Sequence, residues 1–198
     1  MKSAQVMMSG ACLLRDVSLC SPVGEIMLTG CEMGVHTIDI QVEKRSSRYW
    51  LAQHMVSNGQ SEISSELQRC VDWLQCYFIH PESVSSLPPP AFHHPLLQND
   101  SFTAKVLWTL FKKVGLGKTV TYKQLAEMAG NPKAVRAVGG AMRRNPIPLI
   151  VPCHRVLCSS GESGRYMGGK GDHIKVWLLT HEKKALEEVN PEKTEEST

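Results

Sequence analysis

The stretch that holds Asn145, Pro146, Pro148, Pro152, Cys153, His154 and Arg155 sets a nucleophile beside a base. An apolar run studded with prolines suits neither a helix interior nor a central strand. It reads as a rigid, buried connection that delivers Cys153 to a fixed place. A thiolate attacks soft carbon centres well, but it forms only where a base or positive potential is near. His154 and Arg155 could supply both. Sequence neighbours do not face each other, so His154 would take the proton through a water or a backbone bend. On residue types alone, a buried inert thiol remains the commoner fate of a Cys beside a His.

Seven cysteines, at 12, 20, 31, 70, 76, 153 and 158, are an odd number at irregular spacing. They read as reduced thiols, metal ligands or a nucleophile before a disulfide framework, and a reducing compartment fits. No apolar run approaches the roughly 20 residues of a membrane helix, and Asp16 soon after a short Met/Leu stretch makes a poor signal peptide. A soluble, intracellular chain is the expectation. With 198 residues and 42% hydrophobic content there is room for a packed core in one compact domain or two small ones.

The net charge of +3 hides a strong segregation. Residues 1–92 carry six Lys/Arg against nine Asp/Glu, residues 93–185 fifteen against five, and residues 186–198 one against five. A basic middle-to-late segment suggests a polyanion partner, with a solvated basic face as the alternative.

The elements that must hold Cys153 divide at residues 83–95, where three successive prolines favour an extended connector. Before it, residues 25–29 and 35–43 read as a half-buried hairpin, and residues 11–17 as a third strand. Ile63, Leu67, Val71, Leu74 and Phe78 recur at helical spacing until Pro81, with Cys70 and Cys76 as core or surface thiols on that helix. Residues 44–60 show no period and read as a surface loop. After the connector, Phe102, Val106, Leu110 and Val114 form a helical stripe that Asp100 or Ser101 can cap and that Lys112 and Lys113 suit at its end. Thr121 can cap a short helix that Gly130 ends. Asn131 can cap a second helix, with Pro132 first, reaching about Arg144. This pair, its second member carrying Lys133, Arg136, Arg143 and Arg144, looks like a helix-turn-helix and favours nucleic-acid binding.

With these surroundings, the segment Pro152, Cys153, His154, Arg155 resembles the active-site signature of the O6-alkylguanine-DNA alkyltransferases. The resemblance extends in order through Thr121 and Tyr122; Gly130, Asn131 and Pro132; residues 136–143; Asn145 and Pro146; Tyr166; Gly168 and Gly169; and Trp177, Leu178 and Leu179. It covers the C-terminal half closely and the N-terminal half more loosely. The fold class it implies is α/β. A small N-terminal α/β domain, an antiparallel sheet plus helix over residues 1–92, precedes a mostly helical, winged-helix-like domain with a helix-turn-helix over residues 93–185. An acidic, disordered tail over residues 186–198 follows.

By that resemblance Cys153 accepts the alkyl group from O6 of a damaged guanine in duplex DNA, once per molecule. Glu182 orients His154, which draws the Cys153 proton through water, and Asn145 braces the turn before the active-site strand. Tyr122 and Lys175 assist the leaving guanine, and Pro148, Val156, Tyr166 and Met167 belong to the pocket. Arg136 enters the base stack from the minor groove as the target base rotates out. Thr103, Tyr122, Lys123, Asn131, Arg143 and Ser159 contact DNA, with Lys123 standing where a relative has a neutral amide. Met167 replaces a small hydroxyl residue, which leaves the hydrogen bond to the lesion oxygen to backbone N–H groups, and the segment before Lys175 is about two residues longer than the family pattern.

Cys12, Cys31, His36 and His93 follow no local zinc-finger spacing. The resemblance makes them the ligands of a closed, structural zinc, with Cys20 and His94 as near competitors. No organic cofactor is implied. The partner is double-stranded DNA containing O6-alkylguanine, the chain is a monomer, no membrane is involved, and a DNA substrate implies the nucleus. Three competing readings are a DNA-binding module with an inert cysteine, a damage sensor, and a cysteine hydrolase. The presence of Cys153 argues against the sensor. The hydrolase lacks an evident oxyanion hole and does not account for the basic helix.

Overall fold

The computed structural model describes residues 12–42, 54–57 and 63–189. Strands β1 (Arg15–Ser21), β2 (Gly24–Cys31), β3 (Gly34–Gln41) and β4 (His54–Ser57) form an antiparallel sheet in the order β3-β2-β1-β4. Alternation in the sequence becomes alternation of faces: Val17, Leu19, Ile26, Leu28, Ile38 and Ile40 are all buried. Helix α1 (Ser65–Ile79) covers that face with Leu67, Val71, Leu74 and Tyr77. Two expectations need correction. The strand expected at residues 11–17 lies at Arg15–Ser21, and the expected loop at 44–60 contains β4, which pairs with the free edge of β1. A four-residue strand is too short to show a period, and the remainder of that loop lies outside the described residues.

The connector is not extended throughout. Pro81–Ser86 form a 3-10 turn, and the chain then pairs back onto the sheet through a parallel bridge between Val35 and Phe92. Val35 donates to the Ala91 carbonyl at 2.8 Å, and His93 donates to that of Val35 at 2.8 Å. This close approach requires Gly34, whose φ is +148° and where a Cβ would meet the Ala91 oxygen at 2.6 Å.

Beyond it come α2 (Pro95–Gln98), α3 (Phe102–Lys113), α4 (Tyr122–Met128), α5 (Val135–Arg143) and α6 (Asp172–Val189). Of the two candidate caps for α3, Ser101 takes the role; Thr121 and Gln124 form a reciprocal capping box on α4. The expected capping of α5 by Asn131, with Pro132 as its first residue, is corrected. The Ala134 amide closes a turn onto the Asn131 carbonyl at 3.0 Å, and the helix starts at Val135 without a side-chain cap. Two short strands, β5 (Val120–Thr121) and β6 (Val156–Leu157), pair in parallel. This ties the start of α4 to the chain leaving Cys153. Helix α6 continues to Val189, past the point where the disordered tail was expected, because its buried stripe of Ile174, Leu178, Glu182 and Ala185 carries it along the core. Among the described residues no helix is long and apolar enough to cross a membrane.

Candidate active site

The proline-rich connection folds as a stack of tight turns. Val151 N donates to Ile147 O at 2.9 Å, Cys153 N to Val151 O at 2.8 Å, and Arg155 N to Pro152 O at 2.9 Å. Leu149, fully buried, is held at a φ of +73°, a conformation a branched side chain adopts only under surrounding constraint. Asn145 braces the turn as expected: its Nδ2 donates to Val151 O at 2.8 Å and its Oδ1 accepts from Ile147 N at 3.1 Å. The expected active-site strand is instead a 3-10 turn, Cys153–Arg155, because the turns preceding it leave no extended backbone to pair.

Behind the turn, Glu182 is a buried hub. Its Oε1 lies 2.7 Å from His154 Nε2 and accepts from the Tyr77 hydroxyl at 2.7 Å. Arg155 donates to both of its oxygens at 2.9 Å, and the Gly117 amide donates to Oε2 at 3.0 Å. Burial alone would raise the Glu182 pKa, but His154 and Arg155 outweigh it and hold the carboxyl well below the usual carboxylate range. An ionised Glu182 requires the proton on His154 Nε2, which leaves Nδ1 as the basic nitrogen. That Nδ1 is buried and makes no hydrogen bond within the protein. Arg155 is thereby corrected as a source of positive potential at the thiol. It is spent on Glu182 and on the Val114 carbonyl, to which it donates at 2.8 Å.

Cys153 is buried, and burial raises its pKa above the ordinary thiol value, partly offset by Asn145, Tyr166 and the charge of Lys175. Burial likewise lowers that of His154 against the pull of Glu182. The resting pair is a thiol and a neutral imidazole, so the proton must leave as the sulfur reacts. The Tyr166 hydroxyl, also buried and without a well-formed hydrogen bond, interacts with Cys153 in favour of its thiolate, and burial pushes its own pKa well up.

Cys153 opens into a cavity of about 950 Å³. Pro148, Tyr166 and Met167 line it together with Tyr122, Asn145 and Lys175, and Arg136 and Arg143 of α5 also contribute to its lining. Lys175, despite the longer segment before it, is buried with Nζ donating to the Val156 carbonyl at 2.7 Å and to that of Ser163. Burial raises the Tyr122 pKa, with the neighbouring thiols adding to the effect, so its hydroxyl stays protonated. Val156 does not line the cavity. Its side chain is fully buried, and only its carbonyl, through Lys175, bears on the site.

Thr103, Lys123, Asn131 and Ser159 lie outside the cavity; the last three are exposed, and Thr103 accepts a 2.8 Å bond from Arg144. Sequence reasoning missed Tyr77, the presence of Cys158 in the cavity, and the contribution of Ile38, Asp39 and Ile40 from β3 to its wall. For Tyr77 a signal existed: a tyrosine on the buried stripe of α1 needs a partner for its hydroxyl.

At the other end of the sheet, donor atoms of Cys12, Cys31, His36 and His93 all lie within 4.8 Å of one another. His93 Nδ1 is 3.4 Å from Cys12 Sγ, 3.3 Å from Cys31 Sγ and 3.2 Å from His36 Nε2, and His36 Nε2 is 3.2 Å from Cys31 Sγ. One ring nitrogen cannot bond three partners, whereas vertices about 3.3–3.8 Å apart are what bonds of about 2.0–2.3 Å to a tetrahedral ion require. The donor set therefore fits a metal. Of the competitors, His94 instead caps α2, accepting from Leu96 N at 3.1 Å, and Cys20 is not in the group.

A family model described as 6-O-methylguanine DNA methyltransferase, DNA binding domain, matches residues 101–184. The methylated-DNA–protein-cysteine methyltransferase of Homo sapiens is 47% identical over 174 residues, 86% of this chain and 81% of that protein. That of Cricetulus griseus is 47% identical over 178 residues, 88% and 85%. Among solved structures, Mycobacterium tuberculosis O6-methylguanine methyltransferase gives a TM-score of 0.64 at 26% identity, covering 87% of this chain and 94% of that one. Mycobacterium tuberculosis OGT in complex with DNA gives 0.62 at 28% identity, covering 85% and 92%. At 47% identity over 86–88% of its length, the chain belongs to the methylated-DNA–protein-cysteine methyltransferase family.

Proposed function

We propose that the protein repairs DNA by direct reversal, taking the alkyl group from O6 of guanine in a duplex onto Cys153. The observation that carries this reading is a buried thiol at a cavity edged by two arginines and backed by a base whose free nitrogen is Nδ1 of His154. As the S–C bond forms, the O6–C bond breaks and its electron pair goes to the guanine. The thiol proton passes through water to His154, and the guanine ring takes up a proton in turn. Tyr122, kept protonated, and Lys175 stabilise the leaving base. A thioether is not a leaving group, so each molecule acts once.

The helices α4 and α5 act as a helix-turn-helix on double-stranded DNA, in keeping with the DNA-bound relative. The target base rotates out of the stack, at a cost of about a few kcal/mol, and Arg136 occupies its place from the minor groove. Arg143 supports the flipped nucleotide at the cavity wall, while Thr103, Lys123, Asn131 and Ser159 contact the backbone. With Met167 at the cavity edge, the lesion oxygen is bonded by backbone amides. Zinc, held by Cys12, Cys31, His36 and His93, pins the sheet to the segment after the connector. Its four protein ligands leave no open position, so its role is structural. The protein works as a monomer in the nucleus without an organic cofactor. The test is repair of a duplex containing O6-methylguanine by the Cys153→Ala variant: binding without repair is expected, and residual repair would refute the assignment.

A further inference from the structure

We propose that Tyr77 is a positioning residue for alkyl transfer: its hydroxyl, delivered by α1 of the N-terminal half, limits how strongly Glu182 draws on His154. This rests on the Cys153, His154 and Glu182 relay proposed above. Tyr77 is fully buried, stacked on Trp73 at 5.6 Å and edge-on to Phe78 and His181 at 5.2 and 5.6 Å. Its carbonyl bonds His181 Nε2 at 2.8 Å. A phenylalanine would satisfy all of those contacts, so the hydroxyl has one use, its 2.7 Å bond to Glu182 Oε1.

That oxygen is the one bonded to His154 Nε2 and also to Arg155 Nη2, so the three donors compete for the same lone pairs. The ionisable groups facing the cluster are Glu182, Arg155, Lys175, Tyr166 and Cys153, besides His154 itself and His181 against the Tyr77 ring. Burial and the Glu182 charge push the Tyr77 pKa well up, which keeps its hydroxyl a donor throughout the working range. Each donor on Oε1 spreads the carboxylate charge and weakens its pull on the imidazole proton. Without the Tyr77 hydroxyl, His154 becomes more basic and protonates at higher pH, which removes the acceptor for the Cys153 proton.

The experiment is the pH dependence of single-turnover methyl transfer by the full chain carrying Tyr77→Phe. Alkylation of Cys153 by iodoacetamide is followed in parallel, and unfolding midpoints confirm that each variant is folded. The acidic inflection of both profiles is expected to move up by about half to one pH unit. Transfer at pH 6 is then about three- to tenfold slower, with little change at pH 8. In a His154→Gln background, Tyr77→Phe should cause no further shift. Profiles of Tyr77→Phe that superimpose on those of the unmodified protein, or an equal shift in the His154→Gln background, overturn the assignment of Tyr77. If His154→Gln alone leaves rate and profile unchanged, it is the relay that fails.

Discussion

Glu182 is the residue on which the chemistry and the fold depend together. It accepts from Tyr77, Arg155 and Gly117 and faces His154, so one carboxylate ties α6 to α1, to the turn after Cys153 and to the loop after α3. Its folded pKa is depressed, so its stabilising contribution is fully present above the unfolded carboxylate value of about 4.3 and is lost as pH falls below it. Glu182→Gln should remove that acid-side slope. At neutral pH it should lower stability by about 3–5 kcal/mol, because Arg155 is left as a buried, uncompensated charge. Denaturant titrations at pH 7 and pH 4 check this; equal loss of stability with falling pH in both proteins would contradict it. The role of Glu182 in orienting His154 was legible only through the family resemblance, since a glutamate on a helix is ordinarily solvated. Its bond to Tyr77, 105 residues away, was not legible, because helical periodicity says which face is buried but not what polar atom waits opposite.

At the scale of elements, α5 and the bridge between β3 and the connector do the positioning. Arg136 and Arg143 are seven residues apart, nearly two helical turns, and both stand at the cavity as that spacing requires. Arg136→Ala should slow transfer from duplex DNA by about tenfold or more, equivalent to about 1.4 kcal/mol, yet leave reaction with the free base O6-methylguanine nearly unchanged, since only the duplex pays for unstacking. Equal impairment on both substrates would make Arg136 a residue of the pocket or the fold. The bridge holds His93 beside Cys31 and His36 only while Gly34 lets Ala91 approach. Gly34→Ala should therefore cost about 1–3 kcal/mol and lower the zinc retained per chain, measured by metal analysis after dialysis. Unchanged zinc content and stability would show that the bridge does not set the ligand geometry. The hairpin, the caps at Ser101 and Thr121 and the two helices α4 and α5 were readable from period and capping residues. The start of α5 and the strand β4 were not, since turn closure by Asn131 and edge pairing by β1 are settled by tertiary contacts.

Across the whole molecule, the acidic N-terminal half and the basic segment that follows meet at the site. The sheet half supplies Tyr77 behind Glu182, part of the cavity wall from β3, and the Ile38 amide bonded to the Pro146 carbonyl at 2.9 Å. The basic segment supplies the thiol, the base and the arginines. The Cys/His donor group draws Cys12, Cys31 and His36 from the sheet half and His93 from the segment that follows, and none of the four lines the cavity at Cys153. Composition revealed the charge segregation, but not that the acidic half closes the alkyl cavity. That division makes one chemical claim central, transfer to a single sulfur without turnover. Intact-mass analysis of the protein titrated with duplex DNA containing O6-methylguanine, followed by peptide mapping, tests it most directly. The expected result is one added methyl group per chain, located on Cys153, with lesion lost in equal amount and no reaction beyond equivalence. Repair that continues past one equivalent, or a methyl group mapped to Cys158, would contradict it.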